Sequence, residues 1–172
     1  MDAAANLGSP FLIIARNCVL WFFEPTYIQN IDFSPKVFLS QMRHIKLLTT
    51  DSLTLEYNAV EDYVVATWHG TFTSDVIKQG YEQILFFVQK ERCHKLLDNH
   101  YDVQGLWVEL TDWLAFDWHP RAEQAGLQYH AAVYSQDYFS RLSTDRAMSM
   151  VRDGIAKGFE TTENAEGWLN SV

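Results

Sequence analysis

His69, Asp98 and His100 are the residues whose types could do chemistry together. Two imidazoles and a carboxylate are three of the four donors that a tetrahedral zinc site asks for. A carboxylate beside an imidazole is also the minimum for general acid–base work, and Asp98 or Asp117 with His69 or His119 would supply such a pair. Spacing does not support either chemistry. The chain contains no H-E-x-x-H, G-x-S-x-G, G-x-G-x-x-G or Walker loop. Asp98 and Asn99 read equally well as turn residues whose side chains bond loop amides. The expectation is that the chain holds no metal and no cofactor.

Six tryptophans are the more unusual feature: Trp21, Trp68, Trp107, Trp113, Trp118 and Trp168. Large aromatics bury much area, so filling the core is their first role. Trp107, Trp113 and Trp118 flank the helix that follows the polar stretch Asp98–Asn99–His100, and aromatics beside a few polar groups also suit a small-molecule pocket or a partner surface. Trp113 and Phe116 share a helical face, whereas Trp118, five residues from Trp113, faces elsewhere. Arg121, in His119–Pro120–Arg121, is an anion-binding candidate or an ion-paired surface residue.

The elements that must position these residues follow from periodicity. Leu53, Leu55 and Tyr57 alternate with Thr54 and Glu56, which predicts a strand. Tyr63–Trp68 is a second strand rich in β-formers, and the short polar link predicts a hairpin. Ser74 is expected to cap a helix running to about Arg92, with Ile77, Tyr81, Ile84, Leu85 and Val88 on its apolar face. Gly80 inside that face implies close approach to the sheet. Lys95–Asp98 is a short third strand. Thr111 or Asp112 caps the next helix, Pro120 kinks or restarts it, and Gly126 ends it. Tyr129–Tyr134 is a fourth strand, Ser143 or Thr144 caps a helix ended by Gly154, Gly158–Thr161 is a weak fifth strand, and Glu163–Leu169 is a final helix. The fold class is therefore α/β, a mixed sheet of four or five strands with helices packed on it.

Several segments then carry a likeness: Val64-Val65-Ala66-Thr67-Trp68-His69-Gly70, Lys95-Leu96-Leu97-Asp98-Asn99, Trp113 followed by Trp118-His119-Pro120-Arg121, Ala125-Gly126-Leu127, and Phe159 ahead of Ala165 and Trp168-Leu169. Over about residues 45–170 the chain resembles the STAS-like, SpoIIAA-like proteins of bacteria. The resemblance implies helices mainly on one face of the sheet and a regulatory binding role. The anti-sigma-factor antagonists of that group carry a phosphoacceptor serine in an Asp-Ser-Ser-Gly type loop. This chain reads Asp98-Asn99-His100-Tyr101-Asp102 and Glu109-Leu110-Thr111-Asp112 there, so Thr111 is the sole hydroxyl near the helix start.

Charge narrows the partners. The 172 residues carry 22 acids against 13 bases, a net charge of -9, with 48% apolar and 15% aromatic residues. An acidic chain without a Lys/Arg cluster repels phosphate backbones and anionic membranes. The apolar run 11–23 contains Arg16 and Asn17 and is too short to span a bilayer. Cys18 and Cys93 form no C-x-x-C pair and read as reduced core thiols of a cytoplasmic protein. Residues 1–41 hold three of the four prolines and apolar clusters without a period, and Met42 opens a run typical of a domain start. They are upstream sequence ahead of a start at Met42, or an extension that packs an apolar strip on the domain or a partner; 42–172 is the α/β domain.

The sequence leads to the expectation of a non-enzymatic module that binds a protein partner, or a second copy of itself, through the stretch Asp98–Asp112. A small apolar or lipid-like ligand held between the Trp113 helix and the sheet is the alternative. An enzyme using His69, Asp98 and His100 comes third. The candidate contact residues are Trp68, His69, Asp98, Asn99, His100, Thr111, Trp113, Trp118 and Arg121.

Overall fold

Alternating apolar residues form the strands, and their inward faces set the layers. The computed structural model describes residues 44–152 and 155–172, together with a short antiparallel pairing of Ile14–Ala15 with Cys18–Val19. The rest of the extension 1–41, the Cys18 thiol and Gly154 lie outside the described residues. Strands β1 (His44–Thr49), β2 (Leu53–Asn58) and β3 (Tyr63–Thr71) pair antiparallel in sequence. Helix α1 (Ser74–Glu91) leads to β4 (Lys95–Gln104), which pairs parallel to β3. A composite helix, α2 (108–124), leads to β5 (Tyr129–Val133), and α3 (Tyr138–Met150) leads to β6 (Ala156–Phe159). Both crossovers keep the strands parallel, and α4 (Thr162–Leu169) closes the chain. The six-stranded sheet has the order β1-β2-β3-β4-β5-β6.

Side-chain alternation shows where the helices lie. Asp98 and His100 of β4 and His130 of β5 share one face. They contact Tyr81 of α1, His119 of α2 and Thr144 of α3. Tyr63 and Tyr129 point the other way, where Glu166 and Trp168 of α4 meet them. Three helices therefore cover one face and α4 covers the other, as expected for helices mainly on one face.

Local chemistry explains the boundaries. In the β2–β3 turn, the buried Asn58 side chain accepts from the backbone of Val60 and Glu61. Thr73, not Ser74, caps α1 by accepting from Val76 N–H. Its buried face contains the five residues expected, with Gly80 and Phe87 added. A Cβ at Gly80 would stand 2.3 Å from the Trp68 ring and 3.2 Å from Leu53. The ring is buried and held by a hydrogen bond, so it cannot yield cheaply. Gly80→Ala is expected to destabilise by about 1 kcal/mol, because overpacking of roughly 1–3 kcal/mol exceeds the helix-propensity gain of about 1 kcal/mol. Urea denaturation checks this, and a net stabilisation would contradict the close approach.

Helix α2 is built from a 3-10 turn (Val108–Leu110), an α turn (Thr111–Trp113), a π turn (Leu114–Trp118) and an α segment (His119–Gln124). Pro120 explains the π turn. It brings no N–H to the carbonyl four residues back, and His119 N–H reaches Leu114, five back. Gly126, at φ +111°, ends the helix as expected, with Gly126 and Leu127 N–H bonded to Glu123 and Ala122 carbonyls.

Several expectations are corrected. The sheet has six strands because His44–Thr49 also pairs, as the outer neighbour of β2. Strand β4 does not stop at Asp98 but runs to Gln104, so Asp98–Asn99–His100 is strand rather than loop. Its polar residues were read as a turn, yet the inward ones are bonded inside the core. Helix α3 starts at Tyr138, with Asp137 accepting from Ser140 N–H. Ser143 and Thr144, expected as caps, are interior residues whose hydroxyls donate to Phe139 and Ser140 carbonyls. Neither Thr111 nor Asp112 caps α2.

Candidate functional site

The centre of the helix-covered face holds a buried carboxylate. Asp98 is fully buried and has four polar partners, three of them hydrogen-bonded and His100 at ion-pair distance. Trp68 Nε1–H donates to its Oδ1 at 2.6 Å, and Tyr81 O–H to Oδ2 at 2.7 Å. The Nε2 atoms of His100 and His130 each lie 3.1 Å from Oδ2. Position 98 supplies an inward site on a central strand, position 100 the next on the same face, and α1 places Tyr81 over both.

Two branches leave this hub. His100 Nδ1 lies 2.9 Å from Thr144 Oγ1, which is bonded to the Ser140 carbonyl within α3. His130 Nδ1 lies 3.0 Å from His119 Nε2, and the two rings stack. With His130 giving its Nε2–H to Asp98, its Nδ1 accepts the Nε2–H of His119. That leaves the buried His119 Nδ1 with no partner. Trp118 Nε1–H donates to the Tyr81 carbonyl at 2.7 Å and fixes α2 against α1. The hub thus ties β3, β4 and β5 to three helices.

Electrostatics follow from burial and pairing. Burial pushes the Asp98 carboxyl up, but His100 and His130 beside it outweigh that and hold it well below the usual carboxylate range. Burial, with Asp98 adjacent, pushes the Tyr81 phenol well up. Burial, reinforced by His130, pushes His119 well below the usual imidazole range against the pull of Asp98.

The line Asp98–His100–Thr144 has the residue types of a nucleophile triad, and its chemistry is blocked by packing. Thr144 is fully buried and its hydroxyl is committed to a helix carbonyl. The cleft beside the hub, lined by Trp68, Phe72, Ile77, Tyr81, His100, Val103 and Trp107, has a cavity of about 10 Å³. That is the space of one water molecule, with no room for an acyl group or a lipid chain.

The nominated residues divide. Trp68, Asp98 and His100 meet at the hub, and Trp118 packs beside it. His69 does not join them: it is exposed, one position past Trp68 and opposite Asp102. Asn99 points away from the hub and accepts from Tyr101 N–H. Thr111 is buried, donating to Val108 and accepting from Arg146. Trp113 is half-buried against Tyr81, under the Lys78 ammonium. Arg121 is ion-paired with Glu82 and Asp117 at 2.5 and 2.7 Å. Among the described residues, no group of three or more His, Cys, Asp or Glu is arranged to hold a metal ion. His130, Tyr81 and Thr144 were missed as site residues. The available signal was an inward histidine on an otherwise apolar strand, which must find a partner.

A second feature lies at the carboxyl end of β4 and the start of α3. Tyr138, Phe139, Leu142 and Leu106 are 70%, 56%, 47% and 57% exposed. Tyr138, Phe139 and Leu142 share one face of α3. Leu106 lies beside it, because Gly105 N–H bonds the Asp137 carboxylate and Trp107 N–H bonds Ser143. Tyr101, also exposed, accepts from Gln136 at the same end.

The protein is thus an α/β domain with a mixed sheet, a buried polar hub and an exposed apolar edge. No family model matches the chain, and no curated protein matches it. The chain is similar to an uncharacterised protein of the DUF3478 family with a SpoIIAA-like fold, from Shewanella loihica PV-4. The two share 17% identity with a TM-score of 0.41, over 73% of this chain and 91% of that one. Among the described residues, no helix is long and apolar enough to cross a membrane.

Proposed function

We propose that this domain is a regulatory, non-enzymatic module that docks another protein on the apolar edge formed by Leu106, Tyr138, Phe139 and Leu142. The observation that carries the reading is the grouping of four large, exposed apolar side chains on one helix face and the loop beside it. Contiguous exposed apolar surface marks interaction sites. The hub supports the same reading, since its carboxylate and hydroxyl are committed to internal bonds and it holds the docking helix rigidly on the sheet. The single-water cavity favours neither a ligand pocket nor a substrate site.

Photo-crosslinking in the native host tests this. A benzophenone amino acid at Leu142 or Leu106 is expected to give one discrete adduct with a second protein. The same probe at Gln128, exposed at the opposite end of β5, is expected to give none. Loss of the adduct at both edge positions, an equal adduct at Gln128, or an adduct with the mass of two copies of this chain would overturn the proposal.

A further inference from the structure

The rim around the apolar edge is acidic, and its bases are already engaged. Glu109, Asp112 and Asp145 are exposed. On α3, Arg141 pairs with Glu160, and Arg146 lies 3.4 Å from Asp112 and 3.1 Å from the Thr111 hydroxyl. The uncompensated charge at this edge is therefore negative. Resting on the docking reading above, we infer that the partner segment is amphipathic and basic, with apolar residues for Leu106, Phe139 and Leu142 and flanking Lys or Arg for the rim.

Charge complementarity selects this occupant over the others. A second copy in a twofold contact would bring two acidic rims together. Residues 1–41 carry three acids against two bases and offer no net positive charge. Nucleic acid and anionic lipid headgroups present phosphate, which the rim repels. Glu109 and Asp145 accept hydroxyl hydrogen bonds from Ser74 and Tyr134 and keep their charge, and beside exposed aromatics they match a segment in which Lys or Arg flank Leu or Phe. Such contacts steer encounter and fix register while the apolar anchors supply affinity.

The test uses the isotopically labelled full chain and two synthetic amphipathic peptides with the same Leu/Phe spacing, one carrying Lys and Arg, the other Glu. The basic peptide is expected to shift the amide resonances of Leu106, Phe139 and Leu142. Its affinity should fall at least about tenfold between roughly 0.05 and 0.5 M salt, because exposed charges are screened. Leu142→Ser and Asp145→Lys are each expected to weaken it by about tenfold, and both sites are exposed, so the fold is retained. Equal binding of the acidic peptide, salt-independent affinity, or shifts confined to another surface would overturn the inference. So would failure of both peptides while the Leu142 photo-adduct forms, an outcome that leaves the docking surface standing. Absence of the adduct removes the docking surface itself.

Discussion

Asp98→Asn is expected to destabilise the domain by about 3–5 kcal/mol, the cost of removing one partner from a buried charged cluster. The substitution keeps the shape and removes the charge. An amide offers one acceptor oxygen and one NH2, and four groups of the fold point at this carboxylate. Whichever way the amide is turned, its NH2 replaces an acceptor that the indole or the Tyr81–His100–His130 side depends on. Buried donors left without an acceptor add about 1–3 kcal/mol each. Urea denaturation with an unchanged slope reads the loss directly. A change below about 1 kcal/mol would mean that the hub is not a principal tie between sheet and helices.

Lowering the pH from 7 to 5 is expected to destabilise the domain, with His119 responsible for a definable part of the slope. Burial holds its folded-state pKa well below the ordinary imidazole value of about 6.5, so the folded protein keeps it neutral while the unfolded chain takes up a proton. The unfolded state binds more protons below that pH, and stability falls as the pH falls. One such histidine contributes up to about 1.4 kcal/mol per pH unit, or about 2 kcal/mol by pH 5. Asp98 is also depressed, so its contribution is present above the unfolded carboxylate pKa and is lost only as the pH falls below about 4. The window from 7 to 5 therefore separates the two. His119→Gln, which keeps a donor for His130, should flatten the slope in that window whatever its effect on stability at pH 7. An unchanged slope would show that His119 takes up its proton in the folded state as readily as in the unfolded chain.

Much of the fold was legible because strands and helices here follow their periods. The β2–β3 hairpin, the apolar face of α1, the close approach at Gly80 and the stop at Gly126 rest on local rules that tertiary packing reinforced. The polar run at the end of β4 suggests a turn, whereas the strand continues to Gln104. Alternation already held the correction: Asp98 and His100, two apart, share a face, and Asn99 lies opposite. The same rule separates His69 from Trp68 on β3, so a site containing both could not form while the strand continued. Strand β1 was missed because its neighbour-dependent pairing with β2 leaves little trace in a short run such as His44–Thr49.

By itself the sequence determined the α/β class, the acidic surface and an aromatic core, since these depend on composition and on periods of 2 and 3.6 residues. It also nominated Asp98, His100 and Trp68. Tertiary structure alone decided what those residues do. His130 and His119 come from two elements, and Tyr81 and Thr144 from two more. Tyr81 and His130 meet the Asp98 carboxylate, and His119 and Thr144 join it through His130 and His100, an arrangement that depends on strand order and helix placement and that no local spacing encodes. The same holds for the apolar edge, because Leu106 and Leu142 become neighbours only when the β4 loop is bonded to α3. Local interactions shape each element, whereas the hub and the edge arise from contacts between residues distant in sequence.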